Sequence, residues 1–94
     1  MKLEIVNSIE ALLATLEKCK AQERDGKTIG LYNFHIDRTR ETLDKLKKDG
    51  LDKAVINNFF DGEGRSYGWS YLPNENGQIA EEAFWNLKKQ LLGY

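Results

Sequence analysis

The sequence predicts a small α+β domain, with an N-terminal antiparallel helix pair, a β-hairpin and a C-terminal helix in one domain spanning residues 1–94. Three observations predict it. Apolar residues recur at three-four spacing through the first half. Two short runs, "LDKAVINNFF" and "RSYGWSYL", flank the glycine-containing "DGEG". An amphipathic segment then closes the chain.

The first helix is carried by Ile5, Ile9, Leu12, Leu16 and Cys19, one stripe at helical spacing. Asn7 followed by Glu10 resembles a capping box, "RDGK" at 24–27 supplies the stop, and "KLEIV" at 2–6 reads as a short strand or an extra helical turn. Residues 28–49 admit two readings. "TIGLYNFHI" is rich in β-branched and aromatic residues, and Asp37 would cap a helix after it. That strand-then-helix reading gives the alternative order β-α-β-α-β-β-α with a small mixed sheet. However, Ile29, Tyr32, Ile36, Thr39, Leu43 and Leu46 keep three-four spacing throughout, which one helix stopped by Gly50 explains. That helix places Phe34 on its outer face.

Beyond Gly50 the two apolar runs and their glycine loop read as a hairpin. With Gly62 and Glu63 in the loop, Tyr67, Trp69 and Tyr71 share one face, and Ser66, Gly68 and Ser70 share the other. The last helix covers about residues 78–92, with Glu81 and Glu82 toward its positive end and Lys88 and Lys89 toward its negative end. Its apolar residues spread over about 200° of circumference, wider than a surface helix needs. Trp85 and Leu92 form the surplus flank, about 80–100° from Phe84. Either a symmetric homodimer covers that flank or the hairpin folds over it.

A net charge of -1, from 14 basic and 15 acidic side chains, removes the electrostatic footprint of a typical nucleic-acid binder. The single cysteine allows no internal disulfide and no thiolate zinc site within one chain. The N-terminus lacks the apolar run of a signal peptide, which predicts a reducing, cytoplasmic setting.

No constellation of catalytic residues emerges. His35 is the only histidine and has no partner at a diagnostic spacing. Cys19 lies inside a helix, away from the N-terminus that would stabilise a thiolate. Asp61 and Glu63 sit in a sequence with turn composition and lack the further ligands of a calcium loop. No metal or cofactor is expected.

Aromatic side chains with an arginine at their edge are the composition of a binding hot spot. The expected partner-binding residues are therefore Arg65, Tyr67, Trp69, Tyr71, Trp85 and Leu92. Among the hairpin aromatics, Trp69 is expected in the core, leaving Arg65 and Tyr67 nearer the partner. The expected function is a non-catalytic protein–protein interaction module, such as a small inhibitor, adaptor or immunity-type protein. Two alternatives come from other classes. One is a nucleic-acid binder stacking bases on Tyr67, Trp69 and Tyr71. The other is an enzyme using His35.

Overall fold

A computed structural model describes residues 2–50, 52–65, 69 and 72–92, the side chains of residues 2, 3 and 63–65 excepted. Four helices account for most of these residues: α1 (Lys2–Ala21), α2 (Gly26–Asp49), α3 (Lys53–Arg65) and α4 (Asn74–Leu92). Among the described residues there is no strand and no sheet. The expected α+β class, its β-hairpin and the alternative mixed sheet are all corrected: every regular element among the described residues is a helix.

α1 starts at Lys2, so "KLEIV" is helical and Asn7 lies inside the helix rather than capping it. Val6, Ile9, Leu12, Leu16 and Cys19 form its buried stripe. The chain then reverses over residues 22–25. There the Gln22 and Glu23 amides donate to the Cys19 and Lys20 carbonyls. α2 is the single long helix that the three-four spacing predicts. Its cap is Asp25, not Asp37: Oδ2 of Asp25 accepts from both the amide and the hydroxyl of Thr28, at 3.0 and 2.8 Å. Gly50 ends it with φ 88°, a left-handed conformation that glycine adopts at no steric cost, and its amide donates to the Leu46 carbonyl.

Two ion pairs set the register of α1 against α2. Lys47 meets Glu10 at 3.1 Å and Arg40 meets Glu17, so seven residues forward on α1 match seven backward on α2. The pair is antiparallel. Both bridges are half-exposed and stabilise by less than about 1 kcal/mol each, so they mark the register more than they enforce it.

α3 replaces the expected first hairpin strand, and the reason is periodicity. Ile56, Phe59 and Phe60 recur at three-four spacing and are all buried, whereas a two-residue alternation would have split them between faces. Asp52 opens the helix by accepting from the Ala54 amide at 2.8 Å. The helix runs through "DGEG" despite two glycines, each costing about 1 kcal/mol against alanine. α4 begins four residues before the expected start. Asn74 (φ 59°) accepts from the Asn76 amide, and the Gly77 amide donates to the Pro73 carbonyl. α4 packs on α1, its N-terminal end beside the C-terminal end of α1, where the Cys19 thiol donates to the Asn76 carbonyl at 3.4 Å. α1 is therefore antiparallel to both α2 and α4, and α3 packs on α2. No helix among the described residues is long and apolar enough to cross a membrane.

Candidate functional site

The surplus apolar arc of α4 gives the candidate site. Gly77, Ala80, Phe84 and Leu87 are its buried residues and face the core. A helix advances about 100° per residue, so Trp85 leaves that face while staying in contact with it. Its ring meets Phe84 edge-on, centroids 5.0 Å apart, and remains 40% exposed. One turn later Lys88 holds its ammonium 5.3 Å from the Trp85 ring centroid. That geometry contributes about 0.5–1 kcal/mol and orients the indole. Glu81, half-buried, and Glu82, exposed, lie one turn before Trp85; Lys88, half-buried, and Lys89, exposed, lie one turn after.

Leu92 shares the flank of Trp85 in helical projection but is half-buried and packs against the core. Two further large apolar side chains are exposed. Phe34 on α2 lies under the Arg38 guanidinium, 6.0 Å from its ring centroid, and Ile79 lies on α4. Phe34 is legible in the sequence, because the helical register of 28–49 puts it outside; nothing in the sequence marks Ile79.

Of the expected aromatic face, Trp69 alone is among the described residues. Tyr67 and Tyr71 lie outside the described residues, and Arg65 closes α3 with a side chain that is likewise not described. Trp69 is buried. It is sandwiched between His35 at 3.9 Å and Phe84 at 4.6 Å, with interplanar angles of 23° and 20°. Phe59 and Phe60 meet Phe84 from the α3 side at 6.1 and 5.6 Å. Trp69 is thus a wedge between α2 and α4, and both of its faces are occupied by protein.

His35 is fully buried against that ring. It lines none of the four described grooves. Burial raises the Cys19 thiol above its ordinary value, against smaller opposing effects of Lys18 and the Tyr32 hydroxyl, which keeps it a thiol at neutral pH. Burial, then Cys19 and Glu23, push the Tyr32 hydroxyl up to about 12. No cluster of three or more metal-ligating side chains occurs among the described residues.

An open groove of about 400 Å³ lies between α1 and α2, lined by Glu17, Lys20, Ile29, Asn33, Asp37 and Arg40 among others. The Arg40–Glu17 bridge joins two of its charges.

No protein-family model, curated protein or solved structure matches this chain.

Proposed function

We propose that this chain is a non-catalytic protein-interaction module that presents the Trp85 flank of α4 to a protein partner. One observation carries the reading: a tryptophan, the side chain that most often dominates interface energetics, stands 40% exposed on a rigid helix, with a cation holding its ring. Covering the rest of that ring removes roughly 100 Å² from water, about 2.5 kcal/mol at 25 cal/mol/Å². This is a large contribution from one residue. The acids and lysines beside it supply the polar rim that such a centre requires. Base stacking draws no support from Trp69, since both faces of its ring are covered.

The test is capture from nuclease-treated native extract on immobilised protein, comparing wild type with Trp85→Ser after circular dichroism has shown both folded. The reading expects a defined set of proteins retained by wild type and lost from the variant. Retention that survives Trp85→Ser, or that occurs only when the nuclease is omitted, overturns it.

A further inference from the structure

The charges around Trp85 have a symmetry that names an occupant for the flank. Glu81 and Glu82 precede the tryptophan by four and three residues; Lys88 and Lys89 follow it by three and four. The macrodipole does not account for the acids, because its effect fades within the first turn and α4 begins at Asn74. Within the helix Glu82 accepts from the Gln78 side-chain amide at 3.5 Å, but no lysine or arginine lies three or four residues from either acid. Glu81 and Lys88 are seven residues apart, about 10 Å along the axis, beyond the reach of a three- or four-residue pair.

Pairing between two copies does account for them. Where two α4 helices cross antiparallel at Trp85, a residue before the tryptophan meets one after it in the other copy on the same side of the contact. Glu81 and Lys88 lie about 40–60° to one side of Trp85, and Glu82 and Lys89 to the other. Glu81 then meets Lys88 and Glu82 meets Lys89, twice each by symmetry, around two apposed indoles. A parallel crossing would set glutamates against glutamates and lysines against lysines.

We propose that the Trp85 flank of α4 is a self-complementary surface that binds a second copy of this chain in an antiparallel, two-fold arrangement. The proposal rests on the reading of this flank as a protein-binding surface and names its partner. Self-complementarity of this kind is what an isologous interface requires. One helix flank buries less than a standard interface of about 800 Å² per partner, so the dimer is weak.

The experiment is sedimentation velocity on the whole chain from about 10 μM to about 1 mM, bracketing the affinity expected of a small interface. Four proteins are compared: wild type, Trp85→Glu, the double variant Glu81→Lys/Glu82→Lys, and the double variant Lys88→Glu/Lys89→Glu. Wild type is expected to move from monomer toward twice the monomer mass, and each variant alone to stay monomeric. Mixing the two double variants is expected to restore association, because lysines of one then face glutamates of the other at every position. Glu82, Trp85 and Lys89 are exposed and Glu81 and Lys88 half-buried, and circular dichroism checks each fold.

Wild type that stays monomeric to the highest concentration overturns self-pairing alone; Trp85-dependent capture of other proteins would still stand. Association that persists in Trp85→Glu, or that the mixture fails to restore, places the contact elsewhere and also overturns the proposal.

Discussion

The Cys19 thiol donates to the Asn76 carbonyl and so joins α1 to the first turn of α4. Cys19→Ser should lower stability by about 1 kcal/mol while leaving the fold intact, and the wild-type thiol should react slowly with Ellman's reagent; rapid labelling of folded protein contradicts its burial. Tyr32 contributes a pH dependence whose sign is fixed. Its hydroxyl is held up to about 12 against an ordinary 10, so the native state keeps the proton more tightly than the unfolded chain does. Its contribution is full below pH 10 and lost as pH rises toward 12. Urea midpoints of wild type should fall across that window more steeply than those of Tyr32→Phe, and parallel curves would refute the assignment. Two glycines make opposite predictions. A Cβ on Gly30 meets nothing within 4 Å, so Gly30→Ala in mid-helix should stabilise by about 0.5–1 kcal/mol. A Cβ on Gly77 would collide with the Leu72 carbonyl, a backbone group held by the chain, and Gly77→Ala should cost about 1–3 kcal/mol. Thermal melts separate the two.

At the scale of elements, α2 turns on Asp25. Accepting two hydrogen bonds from Thr28 holds its carboxyl below the ordinary range, so its contribution is present above about pH 3.8 and lost as pH falls through its lowered value. Asp25→Ala should lower the melting temperature at pH 7, Asp25→Ser should recover much of the loss, and the gap between Asp25 and Ala should close in acid. The helix pair was legible because Ile29, Tyr32, Ile36, Leu43 and Leu46 keep one period over five turns, long enough to outweigh a β-rich opening. α3 was not, for two physical reasons. Its run of 53–60 is short, and short apolar runs carry little periodic information. The glycines after it are turn formers in isolation, yet the helix passes through them. Gly62 lies against the end of the Arg38 side chain, whose Nη2 would sit 2.7 Å from an added Cβ.

For the whole molecule, Trp69 is the keystone between α2 and α4. Trp69→Ala should cost about 3–5 kcal/mol, among the largest effects of any single truncation here, whereas Trp85→Glu should remain folded; chemical denaturation of both variants checks the contrast. The sequence revealed the Trp85 flank because the apolar arc of α4 exceeds what one core can cover. It concealed the fate of Trp69, because the hairpin alternation assigned to 65–71 says nothing about which helices a single buried ring will join. A last consequence follows from α1 lying antiparallel to both α2 and α4. Translation runs in one direction at about 5–20 residues per second, so the helix that completes the far side of α1 is finished roughly 4–14 seconds after α1 itself. Until then α1 has a partner on one side only, and the groove awaiting α4 stays open to chaperones. The nascent chain holds its own docking template in readiness for its final helix.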